Sequence, residues 1–149
     1  MSELPNPGPQ TPFRIDGVSS LEFHHIGLAV ENMETSRINY SGLFGEHALS
    51  RTIRIESQKV NVCFVNVGTG TFIELVEPLG EDSMVYKLLK KWVSYYHVGY
   101  RVSNIVSMVS KLESMNYKAM EYFNSEAFEG KRCIFLFSPE AHLIELIEK

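Results

Sequence analysis

Apolar and polar positions along this chain alternate in short runs, interrupted by stretches of helical spacing, and the order of runs is the same in both halves. Residues 21–30 alternate as a strand does. His25, Gly27 and Ala29 share one face, and Ile26, Leu28 and Val30 share the other. The small residues beside a histidine suit a face that lines a cavity, and the bulky aliphatics suit a face packed under a helix. Met33, Ser36, Tyr40, Leu43 and Phe44 then follow helical spacing, with Asn32 placed to cap the helix and Gly45 to end it. Three strands are expected next, over 47–55, 59–67 and 71–77, with a hairpin turn at Gly68-Thr69-Gly70.

Pro78-Leu79-Gly80 breaks the chain, and Asp82 or Ser83 caps a connecting helix over 82–93. Its apolar side carries Val85, Leu88, Leu89 and Trp92, and its solvated side Lys87, Lys90 and Lys91. The pattern then restarts. A strand over 97–102 precedes a helix capped by Asn104, with Ile105, Met108, Val109, Leu112 and Met115 in period, and strands are expected near 117–123, 131–137 and 143–148. Each half reads β-α-β-β-β, as modules 21–78 and 95–149. Residues 1–20 hold four of the six prolines and are expected as an extended tail.

The repeat extends to single residues. His25-Ile26-Gly27-Leu28-Ala29-Val30 returns as His97-Val98-Gly99-Tyr100-Arg101-Val102, 72 positions later. Phe72-Ile73-Glu74-Leu75-Val76-Glu77 returns as Leu143-Ile144-Glu145-Leu146-Ile147-Glu148. The His-to-Glu spacing is 49 in one half and 48 in the other. Such a period is the first signal to read, because each unit is one supersecondary element that needs its neighbour to complete a core. Two modules packed about a pseudo-twofold axis would bring His25, Glu74, His97 and Glu145 to one point. A carboxylate inside an apolar strand needs a partner, since burying it alone is costly. Two imidazoles and two carboxylates suit divalent Zn, Co, Ni, Mn or Fe, with positions left open for water or substrate. Glu77 and Glu148 lie three residues further on and are turned to the opposite face, and His24, His47 and His142 are expected at the surface or behind the ligands.

Composition narrows the classes. Apolar residues make up 44% and charged residues 21%, ordinary for a globular domain of 149 residues. A net charge of −4 argues against nucleic-acid partners. No apolar run reaches membrane-spanning length, and the N-terminus lacks the pattern of a signal peptide, so a cytoplasmic protein is expected. Cys63 and Cys133, in corresponding strands, are expected as free thiols.

The His-Ile-Gly opening and the Leu-Ile-Glu-Leu ending resemble the vicinal oxygen chelate superfamily of glyoxalases, bleomycin-resistance proteins and extradiol dioxygenases. Within it, Glu77-Pro78-Leu79-Gly80-Glu81-Asp82-Ser83, the lysine-rich helix and Gln58-Lys59-Val60-Asn61-Val62 are similar to the methylmalonyl-CoA epimerases. The resemblance spans about 21–149. It implies an α+β fold in which paired βαβββ modules form a curled mixed sheet around a metal-centred cavity. It implies His25, Glu74, His97 and Glu145 as metal ligands, with Glu145 also a proton carrier; two-sided proton transfer needs a second acid/base, for which Glu74 or a metal-bound water would serve.

The activity so implied is a divalent-metal-dependent epimerase or isomerase acting through an enolate on a small acid or acyl-CoA thioester, as a homodimer. Glu145 is expected to act as a base through a pKa raised by desolvation. Some epimerases carry a further catalytic carboxylate on the third strand, where this chain has Asn61-Val62-Cys63. The alternatives are a glyoxalase I-like lyase, an iron oxygenase, or a non-catalytic binding protein of the bleomycin-resistance type.

Overall fold

The structure is a computed structural model, described for residues 19–149; the expected proline-rich tail lies outside that range except for its last two residues. The first half comprises β1 (Glu22–Ala29), α1 (Met33–Phe44), β2 (Ile53–Ile55), β3 (Val60–Asn66) and β4 (Phe72–Pro78). α2 (Met84–Lys90) leads to the second half, with β5 (Tyr95–Val102), α3 (Ile105–Ser114), β6 (Lys118–Ala119), β7 (Phe123–Ser125), β8 (Lys131–Phe137) and β9 (Leu143–Glu148). The strands form one strongly curled mixed sheet in the order β2-β3-β4-β1-β5-β9-β8-β6, with β7 also on β8.

The order is symmetric about its centre. β1 runs parallel to β4 and β5 parallel to β9, while β1 and β5 pair antiparallel. The halves are therefore joined edge to edge within this one chain. The central register sets Gly27 opposite His97 and His25 opposite Gly99, so each histidine crosses to the glycine of the other half.

Caps follow the sequence. Asn32 Oδ1 accepts from Thr35 N–H at 2.9 Å, Asn104 Oδ1 from Ser107 N–H at 3.0 Å, and Ser83 Oγ from Val85 N–H at 3.3 Å. Glu77, turned to the far face as expected, accepts from Met33 N–H at 2.6 Å and brings a carboxylate to the N-terminus of α1. Gly45 ends α1 at φ +95°.

Alternation divides the packing between the two faces of the sheet. Cys63, Val65 and Leu75 meet Met33 of α1. Ile134, Leu136 and Leu146 meet Ile105, Val109 and Leu112 of α3, a stripe in which each side chain contributes about 1.5–3 kcal/mol by leaving water. Val60, Val62, Val76 and Ala29 face the other way and meet Val85 and Leu89 of α2.

Several expectations are corrected. α1 lies over β3 and β4 rather than over β1, so Ile26 is 37% exposed instead of covered. Ile38, Leu43 and Phe44 of α1 are likewise exposed. α2 stops at Lys90, and the chain turns through Trp92 at φ 59°, which leaves its indole 94% exposed rather than on the apolar side. The strand expected over 47–55 is one short turn, a single bridge between Leu49 and Val65, and then β2. Arg37 of α1 takes the Ser50 carbonyl at 2.7 Å, an acceptor that a continuous strand would use. The strand expected over 117–123 splits into β6 and β7. Cys63 and Cys133 are buried free thiols on corresponding strands, but Cys63 faces α1 and Cys133 the opposite side of the sheet.

Candidate metal centre

His25 and His97 come from the two central strands, and Glu74 and Glu145 from the strands that flank them. One donor atom from each lies within 4.8 Å of all the others, and all four residues are buried. The His25 and His97 Nε2 atoms are 2.8 Å apart. Glu145 Oε1 is 3.2 Å from His25 Nε2 and 3.5 Å from His97 Nε2, and Glu74 Oε1 is 3.7 and 3.3 Å from the same two atoms. Two carboxylates and two imidazoles thus aim at one interior point.

The donor set fits a divalent cation. Nitrogen or oxygen ligands at about 2.1 Å from a common ion stand about 3 Å apart when at right angles, close to the separations found here. Glu145 Oε1 is buried without a hydrogen-bond partner among the described residues, a costly state for a carboxylate oxygen that lacks a cation. The two glycines complete the fit. A Cβ on Gly27 would sit 2.4 Å from His97 Cε1, and one on Gly99 would sit 2.1 Å from His25 Cε1. Only a residue without a side chain lets each ring lie across the opposite strand.

Aromatic rings wall the cluster. Phe64 and Phe128 lie against His25, at centroid distances of 5.8 and 6.2 Å, and Tyr96 and Phe135 against His97, at 4.6 and 5.1 Å. Phe64 pairs with Glu74 across β3 and β4, and Phe135 pairs with Glu145 across β8 and β9. These rings escaped the sequence reading, although their own repeat, in matching strands, was a usable signal. Two cavities share these wall residues: one of about 450 Å³, lined in part by His24, Phe72, Arg101, Phe128 and Lys131, and one of about 190 Å³, lined in part by Lys59, Met84, Tyr96, Phe135 and Leu143.

Register irregularities near His24 and Tyr96 bring successive residues to the same side. His24 therefore stands beside His25, their Nδ1 atoms 2.7 Å apart, whereas His47 and His142 are exposed and away from the cluster.

Electrostatics tie the four groups together. Burial alone would lower the pKa of His97, but the Glu145 and Glu74 carboxylates outweigh it and raise it to about 9. Burial alone would raise the pKa of Glu145, but His25 and His97 lower it to about 2, the reverse of the elevation expected from desolvation. Burial and the charges of Glu145 and Glu74 raise the Tyr96 phenol and the Cys133 thiol. Burial and the proximity of His25 lower His24 to about 4.

A pH prediction follows for the metal-free protein. The His97 contribution to stability is full below its ordinary value of 6.5 and is lost as pH rises through about 9. The Glu145 contribution is present above 4.5 and is lost as pH falls through about 2. These two groups therefore favour the metal-free fold most between pH 4.5 and 6.5. A cation must displace the His97 proton, so chelator competition should show metal affinity rising about tenfold per pH unit from 6.5 towards 9. An affinity that stays flat over that range would contradict the displacement.

A family profile for the glyoxalase/bleomycin resistance protein/dioxygenase superfamily matches residues 24–137. The chain belongs to this superfamily. It is 31% identical over 127 residues to an uncharacterized protein of Bacillus subtilis, covering 83% of this chain and 89% of that one. It is 31% identical over 115 residues to the mitochondrial methylmalonyl-CoA epimerase of Bos taurus, covering 76% of this chain and 65% of that one, just under two thirds of the epimerase's length. The crystal structure of methylmalonyl-CoA epimerase from Mycobacterium tuberculosis has the same fold, with a TM-score of 0.73, 23% identity and coverage of 90% of this chain and 92% of that one. A methylmalonyl-CoA epimerase in complex with methylmalonyl-CoA and NH4+ superposes with a TM-score of 0.73 at 22% identity, over 88% and 96% of the two chains.

Proposed function

We propose that this protein is a metal-dependent epimerase or isomerase that moves the α-proton of a small acid or its acyl-CoA thioester. The observation that carries the reading is the pair of buried carboxylates on β4 and β9, set about two facing imidazoles in a chain similar to methylmalonyl-CoA epimerases. His25, Glu74, His97 and Glu145 would hold the cation. A bound divalent ion supplies Lewis-acid polarisation of a substrate carbonyl and so favours loss of the neighbouring proton.

The chain supplies the proton acceptors. Inversion at carbon needs one acid/base on each face. The third strand has no carboxylate facing inward: Val62 is buried there among Val60, Val76 and Ala29. Both roles therefore fall to Glu145 and Glu74, which belong to opposite halves of the sheet. One, as the carboxylate, takes the α-proton and becomes the acid while the C–H electron pair shifts onto the carbonyl; the other, entering the step protonated, gives its proton to the opposite face and becomes the carboxylate. A homodimer, tested by light scattering, belongs to the same proposal.

Incubation with methylmalonyl-CoA in D2O after loading with Co2+ or Zn2+ should place deuterium at the α-carbon. Absence of uptake with either metal would overturn the epimerase reading. Turnover of a hemithioacetal in its place would establish the lyase alternative.

A further inference from the structure

The two imidazoles of the cluster are supported differently. Among the described residues His97 Nδ1 is buried and has no hydrogen-bond partner, whereas His25 Nδ1 lies 2.7 Å from His24 Nδ1. Two neutral imidazole nitrogens at that distance bond only if one carries the proton and the other offers its lone pair. His25 Nε2 is the atom that faces His97, Glu74 and Glu145. To present a lone pair there, a neutral His25 must carry its proton on Nδ1. His25 Nδ1–H then donates, and His24 Nδ1 accepts.

We propose that His24 is a positioning residue, whose Nδ1 accepts the Nδ1–H of His25 and holds that ring in the tautomer with Nε2 turned towards the cation. The role rests on the reading of the four buried residues as metal ligands. Ligating histidines depend on such an acceptor behind them, which fixes both tautomer and ring orientation.

The surroundings of His24 support this part. The irregular register between β1 and β5 brings consecutive residues inward, where strict alternation would have turned His24 away. Its ring is then held by Phe64, Phe72 and Phe128, at centroid distances of 6.0, 5.0 and 5.5 Å. It meets the His25 ring at 90° with centroids 5.0 Å apart. The corresponding residue of the second half is Tyr96, which contacts the His97 ring but gives His97 Nδ1 no hydrogen bond. The duplicated site is thus unequal, and one ligand is oriented more firmly than the other. His24 also lines the 450 Å³ cavity, so a substrate held there would touch a group bonded directly to a metal ligand.

The test compares His24→Phe, which removes the acceptor, with His24→Asn, whose side-chain carbonyl can supply one. Zn2+ and Co2+ affinities are measured by competition with a chromophoric chelator. His24→Phe should bind about 10–100-fold more weakly than wild type, and His24→Asn should recover most of that loss. Long-range 15N NMR of the Zn2+-loaded wild type should show His25 protonated at Nδ1 and His24 unprotonated at Nδ1. Wild-type affinity in a folded His24→Phe protein, or a His25 ring unprotonated at Nδ1, would overturn the role of His24 while leaving the metal site standing. A wild-type protein that takes up neither metal would overturn the metal site and this role together. If His24→Phe does not fold, the NMR protonation pattern of the wild type decides alone.

Discussion

Replacing Gly27 or Gly99 with alanine should abolish metal retention. The new methyl would lie 2.4 Å from His97 Cε1 in the first case and 2.1 Å from His25 Cε1 in the second, well inside contact distance. Neither ring has room to retreat, because His97 is backed by Tyr96 and Phe135, and His25 by Phe64 and Phe128. Overpacking of this kind costs about 1–3 kcal/mol of stability. The larger loss falls on the site, where a displaced imidazole no longer meets its three partners, and affinity for Zn2+ or Co2+ should drop by about 100-fold or more. Gly42→Ala is the matched control. Nothing among the described residues outside the helix backbone lies within 4 Å of its added methyl, and the residue is inside α1, so this variant should gain about 0.5–1 kcal/mol and bind metal as wild type does. Elemental analysis and chelator competition read the result. Full metal content in Gly27→Ala would show that the rings are not packed as described.

The second large effect concerns Glu145 and Glu74. Each glutamine variant keeps its size and one oxygen donor but loses the charge and the proton acceptor. If the carboxylates serve opposite faces of the substrate, Glu145→Gln should slow deuterium uptake into one epimer of methylmalonyl-CoA by about 10³-fold and spare the other, and Glu74→Gln should do the converse. Both should stop epimerisation, which needs both faces. A single-base mechanism gives a different pattern, in which Glu145→Gln silences both epimers and Glu74→Gln neither. Metal content, measured on the same samples, separates loss of the acceptor from loss of the cation.

Much of this site was legible in one sequence because the half-site is written twice. Singly, His25 or Glu74 is an ordinary residue in an ordinary strand. Together with His97 and Glu145 at nearly the same spacing, they mark a shared point, and the structure brings all four to it. The glycines were legible only as small neighbours of a histidine. Their role, to admit the ring from the other half, depends on the β1–β5 register, which strand periodicity does not encode. His24 was left open between the surface and a place behind the ligands for a related reason. A one-residue irregularity reverses the face of everything beyond it, and no residue type near Phe23 announces it. The Glu145 pKa went the other way from expectation because burial was visible in the apolar strand, while the two facing imidazoles were visible only in space.

Periodicity, caps and the internal echo were determined by the sequence itself: two βαβββ units, their helix starts at Asn32, at Asp82 or Ser83, and at Asn104, and an imidazole and a carboxylate in each unit. These are local properties, set by spacing along one strand or one turn of helix. Tertiary structure decided which edges meet, which side each helix covers and how the rings interlock. Those outcomes depend on contacts between residues 72 positions apart, such as the Nε2 pair of His25 and His97. The energy of such contacts belongs to the pair, so it cannot be assigned to either stretch read alone.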